Sequence, residues 1–319
     1  MLDVVLLGGV VVVSAVPLAR VWPIADLPAV FVIQATAALL VAFLFAFVLG
    51  HPKRAVSAAI LAILGTWIVT GPRAAPPVAA AAVPSLRVLF ANLHGPSGAP
   101  TLDELRAPLA EFDADVLMVA EVGPALRPAV AWNALGYPHR VDCDGQLYCE
   151  TVILSRKPLT DVTYAVDPEH GGKVFGADVS VAGTPVTLAL THLLRPVPPG
   201  GVTRQRVQAR FIGDQLSGQP RALLAGDFNA VPWGGLAHVL ERRSGLRYVN
   251  VLGGTWPTWL PALLRLPLDN VLVGCGLHVT SIRHAAFPRS DHLAVIADVA
   301  VDDGSACDAS VSGAGEAVR

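Results

Sequence analysis

The sequence predicts an α/β protein: a layered α/β sandwich preceded by three transmembrane helices. Three observations predict it. Apolar residues crowd into three segments near the N-terminus, at 2–18, 27–49 and 55–69. Residues 85–301 then alternate short apolar runs with helix-like stretches, and the strands outnumber the helices, which favours stacked sheets over one doubly wound sheet. Finally, acids, amides and histidines stand at the ends of those apolar runs, where packing alone gives no reason for them.

The N-terminal segments come first. The chain has 319 residues, a formal charge of −2 and only 15% charged residues. Its mean hydropathy of +0.54 is high for a soluble protein. Residues 27–49 are long enough to span a bilayer with some tilt, and the other two segments are near the lower limit. A signal peptide followed by buried core helices fits poorly, because Met1-Leu2-Asp3 offers no basic n-region. The densest basic loop, His51-Pro52-Lys53-Arg54, is expected to be cytoplasmic, whereas Arg20 is offset by Asp26. The chain would then start inside, and everything after about residue 72 would be extracytoplasmic, giving a multi-pass protein of the cell membrane.

Four regions follow from composition: a transmembrane region at 1–71, a Pro/Ala linker at 72–84, a catalytic domain at 85–301 and a tail at 302–319. The linker reads as a semi-rigid spacer, or as a cleavage site that frees the domain. The small, polar, Gly/Ser-rich tail is expected to be disordered. Cys143 and Cys149 bracket a turn-like loop, where either a disulfide or two free thiols fits. Within the domain, strands are expected at 86–91, 116–120, 150–154, 185–190, 221–225, 270–273 and 294–299, with helices at 102–112 and 203–216.

The polar residues at the strand ends define the chemistry. Asn92 and Glu121 end the first two strands, and His192 follows the fourth. Asp227 and Asn229 follow the fifth, Asp269 precedes the sixth and Asp291-His292 precede the seventh. Carboxylates with amides and without thiolates suit a hard divalent cation, Mg2+ or alternatively Mn2+. Such an ion polarises a phosphoryl oxygen, a carboxylate orients or deprotonates water, and a His–Asp pair holds a phosphate oxygen. This is equipment for phosphoester hydrolysis.

Ala91-Asn92-Leu93, Val119-Ala120-Glu121, Thr191-His192-Leu193, Gly226-Asp227-Phe228-Asn229, Leu268-Asp269-Asn270-Val271 and Ser290-Asp291-His292 occur in one order along the chain. In that order they resemble the endonuclease/exonuclease/phosphatase superfamily across residues 85–301. The resemblance implies a four-layer α/β sandwich. It also implies roles. Glu121 is the principal metal ligand, Asp291 a second metal-side carboxylate, and Asn92 places the metal or the phosphate. Asp227 orients or deprotonates water, and Asn229 holds that water or a phosphate oxygen. His292, oriented by Asp269, binds the scissile phosphate, as does His192. Some nucleases of the superfamily carry an acid where this chain has His94.

With its three spans, the chain further resembles the membrane-anchored branch of VanJ-type teicoplanin-resistance phosphatases. That resemblance implies cell-wall work on a lipid pyrophosphate such as undecaprenyl pyrophosphate. Two local features bear on it. The Trp- and Leu-rich stretch at 254–266 is either a membrane-dipping loop or folded core. Arg206 and Arg210 share a helix face and either bind the substrate phosphates or form a solvated surface. The alternatives are an extracellular Mg-dependent nuclease and a phospholipid phosphodiesterase of sphingomyelinase type. Near-neutral charge gives no support to a general nucleic-acid surface, so nucleic acid ranks below a phosphorylated lipid in the bilayer as partner.

Overall fold

The computed structural model describes residues 1–71, 85–94, 98–142, 150–197, 200–249, 252–301 and 307. The linker at 72–84, Cys143 and Cys149 lie outside the described residues, as does the tail apart from Cys307.

The N-terminal region forms α1 (Leu2–Ala19), a 3-10 turn (Pro23–Ala25), α2 (Asp26–Ala29), α3 (Val32–Val48) and α4 (Pro52–Thr70). The expectation of three transmembrane helices needs correction among the described residues. Two helices, α1 and α4, are long and apolar enough to cross a membrane. The middle segment is bent by 49° at a break before α3, and it counts as a third span only if the bent pair is taken as one. The break coincides with contacts from the domain. The Ala29 carbonyl accepts the indole N–H of Trp233 at 2.7 Å, and the Asp26 carboxylate is taken by Arg206 and by the Gly235 amide. Residues 23–29 are thus a docking pad for the domain. Val16, Ala29, Val32 and Val69 pack there against Val231 and Trp233. At the opposite end of the bundle, Arg54 grips Asp3 through two hydrogen bonds of 2.8 and 2.9 Å, so the basic loop lies away from the domain.

The domain contributes β1 (Ser85–Asn92), α5 (Leu102–Phe112), β2 (Val116–Ala120), α6 (Ala129–Asn133), β3 (His139–Asp142), β4 (Val152–Ser155), β5 (Leu159–Val166), β6 (Lys173–Val181), β7 (Thr184–His192), α7 (Gly201–Gln215), β8 (Ala222–Asp227), α8 (Gly235–Ser244), β9 (Arg247–Tyr248), β10 (Asp269–Val273), β11 (Leu277–Ala286) and β12 (Leu293–Val301). They form two six-stranded mixed sheets, β11-β12-β1-β2-β4-β3 and β5-β6-β7-β8-β10-β9. Alternation along β1 shows the layering. Leu86, Val88 and Phe90 join the core between the sheets, where they meet Leu188, Leu223 and Val271. Leu89 and Ala91 face the other way, onto Leu105, Leu109 and Phe112 of α5. On the far side, Ala189, Leu224 and Leu272 lie under Ala209 and Ile212 of α7 and Leu236 and Leu240 of α8. The order is helix, sheet, sheet, helix. A capping box at Thr101 and Glu104 starts α5. The β11–β12 hairpin pairs Leu277 with Val301, which brings the chain on either side together for the Cys275–Cys307 disulfide, a bond not anticipated from spacing.

Each sheet holds one central parallel pair, β1 with β2 and β7 with β8. The neighbours β12 and β10 run antiparallel to them. The C-terminal ends of the parallel strands and the N-terminal ends of their antiparallel neighbours therefore share one rim. In register, His192 and Asp269 both pair with Asp227.

Candidate active site

That rim gathers the residues singled out from the sequence. Asn92 is buried at the end of β1, and its amide nitrogen donates to Glu121 Oε1 at 3.0 Å and to Asp227 Oδ2 at 3.2 Å. A donor lodged between two carboxylates occupies ground that would equally suit a cation. Its carbonyl oxygen accepts the His94 backbone N–H at 2.9 Å. His94 also turns its Nδ1 to Glu121 Oε2 at 3.1 Å, which draws this loop residue into the site. Glu121 itself sits at φ +55°, in the left-handed region that a glutamate rarely adopts. Backbone held there by its surroundings is typical of functional positions.

Two histidine–acid pairs flank this centre. His292 Nδ1 meets Asp269 Oδ2 at 2.8 Å, with both groups almost wholly buried. His192 Nδ1 meets Glu150 Oε1 at 3.0 Å, leaving Nε2 facing Glu121 at 3.7 Å and Asp227 at 3.8 Å. In each pair the acid holds one ring nitrogen and fixes the direction of the other. Ser290 Oγ donates to the Asn92 carbonyl at 2.7 Å and accepts the His292 N–H at 2.9 Å, which ties the last motif to the first strand.

The electrostatics follow from burial. Burial, and then the charge of Asp269, raise the Asp227 carboxyl to about 6, with the two histidines and the Asn229 N–H opposing. Burial alone would lower His292. The charge and hydrogen bond of Asp269, with Asp227 and Asp291 behind, outweigh it and raise the imidazole to about 9. His192 is likewise raised against its own burial, first by the hydrogen bond it donates to Glu150. Glu150 is correspondingly lowered, by that same bond. Near neutral pH, the site therefore holds a carboxylate poised to take a proton and an imidazolium poised to meet a phosphate.

The donor atoms suit a hard divalent cation. Glu121, His192 and Asp227 present one ligand atom each within 4.8 Å of one another; Asp227, Asp269 and His292 are equally close, but there a protonated His292 serves as a hydrogen-bond donor rather than a ligand. Asp269 Oδ1 is buried with no hydrogen-bond partner, an acceptor left over.

Three expectations change. Arg206, expected on the substrate, is buried in the junction with the helices. Its guanidinium is bound to Asp26 and to the Ala19 carbonyl, because the α7 face that carries it packs on the docking pad. Arg210, one turn further, is exposed, and neither arginine is joined to the acidic cluster among the described residues. The arginine that approaches is Arg195, 3.9 Å from Glu121 Oε1. Asp291, expected as a second metal-side carboxylate, lies outside both metal-sized clusters, although its Oδ1, like that of Asp269, is buried with no hydrogen-bond partner. Its Oδ2 accepts the Trp256 indole N–H at 3.1 Å, and its Oδ1 lies 3.9 Å from His292 Nε2. Asn229 donates its side-chain N–H to the Leu193 carbonyl at 2.9 Å and its backbone N–H to Asp227 Oδ1 at 2.8 Å. It shapes the loop under Asp227, at φ +47°, a conformation asparagine tolerates.

Sequence reasoning missed Glu150 and Gln205, and singled out the stretch that holds Trp256 without placing that residue against His292. The Trp256 ring lies 6.2 Å from that of His292. Gln205 is buried under the site and donates its amide N–H groups to the carbonyls of Leu194, Phe228 and Asn229.

The model of the Endonuclease/Exonuclease/phosphatase family matches residues 89–292, more than half of the chain. No curated protein matches it. Among solved structures, an endonuclease/exonuclease/phosphatase from Beutenbergia cavernae DSM 12333 is 21% identical with a TM-score of 0.57, covering 68% of this chain and 72% of that one. The D. rerio TDP2 complexed with single strand DNA product is 18% identical with a TM-score of 0.55, covering 67% and 98%. ANGEL2, a 2',3'-cyclic phosphatase, is 14% identical with a TM-score of 0.53, covering 67% and 95%. At these identities the likeness is one of fold. The family match begins at residue 89, beyond the N-terminal helices.

Proposed function

Because the chain belongs to the endonuclease/exonuclease/phosphatase family, we propose that it is a Mg2+-dependent phosphoesterase anchored in the cell membrane. In this reading its active site is extracytoplasmic and it hydrolyses a lipid pyrophosphate such as undecaprenyl pyrophosphate. One observation carries the lipid part. The loop that forms one wall of the site is also the loop that lies on the apolar helices. Within it Trp256 touches Asp291 and His292, while the Leu263 carbonyl accepts from Gln34 of α3. Trp259, Leu263 and Leu264 stand exposed on the same loop, a placement suited to a membrane interface and costly in water.

In this reading Glu121 holds the metal with Asn92 beside it, and the ion supplies charge neutralisation for the phosphate oxygens. His292, held protonated by Asp269, and His192, backed by Glu150, donate hydrogen bonds to the phosphoryl group. Asp227 takes the proton of the attacking water. Water adds to the terminal phosphorus, the bond to the bridging oxygen breaks, and inorganic phosphate and the lipid monophosphate leave.

The test uses the full chain in bilayer discs. It is incubated with undecaprenyl pyrophosphate, and separately with plasmid and single-stranded DNA, each with Mg2+ and with EDTA. Phosphate release from the lipid that EDTA abolishes, with DNA intact, is the expected result. Nicked DNA with the lipid untouched would move the substrate to nucleic acid.

A further inference from the structure

A groove of about 430 Å³ runs between the helices and the domain. One wall is helical, from Ile33, Thr36 and Leu40 of α3 and Val69 of α4; the other is the loop, from Leu252 and Leu263. Leu40, Leu252 and Leu263 are each at least half exposed. Three large apolar side chains from two parts of the chain thus face one open channel. At the depth of α3 and α4 such a channel meets hydrocarbon, where leaving it apolar costs nothing.

The loop wall is built rather than loose. Arg265 donates to the carbonyls of Leu260 at 2.7 Å and Thr258 at 2.8 Å, closing the loop on itself. Trp256 and Leu266 pair through backbone bonds of 3.0 and 2.6 Å. Gly254 lines the groove, and a Cβ there would fall 2.5 Å from that of Arg265, so glycine lets the two strands of the loop close. Two residues beyond Gly254, Trp256 reaches Asp291 and His292. One loop thus serves both places: Gly254 lines the groove, and Trp256, two residues on, stands at the rim of the active site.

We infer that this groove holds the hydrocarbon tail of the phosphorylated lipid while its phosphates lie against His292. The inference rests on the lipid reading above and deepens it. The walls set the direction of the tail, and Trp256 marks the passage from apolar groove to polar site, as an amphipathic ring does at an interface.

The probe is an isoprenyl monophosphate carrying a benzophenone at its tail, photolysed with the full chain in phosphatidylcholine/phosphatidylglycerol discs and mapped by mass spectrometry. The expected result is labelling of residues 33–40 and 252–265, reduced at least fivefold by excess unlabelled isoprenyl monophosphate but not by phosphatidylcholine. Ala37→Phe, which fills the groove, lowers the labelling at least fivefold. If that variant fails to melt cooperatively, Ala262→Trp on the exposed loop replaces it. Labelling spread evenly over α1, α3 and α4, or competed equally by phosphatidylcholine, overturns the inference. Turnover of the lipid pyrophosphate with an unlabelled groove also overturns it while leaving the proposed function standing. Competed labelling of the groove without any turnover supports the lipid phosphate site and overturns the proposed function instead.

Discussion

Asp227→Asn is expected to lower kcat by about 10²- to 10⁴-fold, the usual worth of a positioned general base, while leaving the fold intact. The substitution keeps shape and removes the proton acceptor. Its thermal midpoint at neutral pH is expected to equal or exceed that of the unsubstituted chain. The sign follows from the raised carboxyl: it ionises near 3.8 when unfolded but near 6 when folded, so its stability contribution is lost as pH rises through that window. The pH profile gives a second reading. Activity should rise through about 6 as Asp227 deprotonates and fall above about 9 as His292 loses its proton. The acid limb should vanish in whatever activity Asp227→Asn retains. A variant with near-normal turnover, or one that keeps the acid limb, would remove Asp227 from the reaction.

Arg206→Ala is expected to destabilise the junction between helices and domain by about 3–5 kcal/mol, the cost of stranding a buried partner. Asp26 would keep the Gly235 N–H at 2.6 Å but lose its cation. The space is also specific: a Cβ on Gly235 would fall 2.1 Å from the Ala19 carbonyl. The measurements are thermal denaturation of the full chain and hydrogen exchange at the Gly235 amide, with Arg210→Ala as the exposed control, expected within about 0.5 kcal/mol. The Asp26→Ala, Arg206→Ala double variant should cost less than the two single losses combined, because neither charge is then stranded. Were Arg206 a substrate ligand, its loss would instead raise KM and leave the denaturation midpoint in place.

The residues at the strand ends were legible because each follows an unbroken apolar run. Asn92, Glu121, His192 and Asp227 close strands that are buried on both faces, so a polar residue there stands out. The strands that went unread are mostly at the sheet margins. β11 and β3 edge the first sheet, β5 and β9 edge the second, and β6 lies next to β5. β5 is largely exposed, and an edge strand without a covered face has no apolar alternation to display. Arg206 shows a different limit. It stands four residues before Arg210 on α7, yet Arg206 is buried and Arg210 exposed, and no spacing says that Asp26, 180 residues earlier in the chain, lies opposite Arg206. The apolar run places Glu150 at the start of a strand, yet β4 begins at Val152, which frees the acid to reach His192. The bend before α3 was hidden for the same reason as Arg206: it coincides with Trp233 donating to a carbonyl of a distant element.

The proposed reaction is hydrolysis at the terminal phosphorus of a lipid pyrophosphate. Its most direct test is the reaction of the full chain with undecaprenyl pyrophosphate and Mg2+ in 18O-labelled water, with both products analysed by mass spectrometry. One 18O atom is expected in the released inorganic phosphate and none in the lipid monophosphate. Inorganic pyrophosphate with a lipid alcohol, label confined to the lipid monophosphate, or no product at all would contradict it.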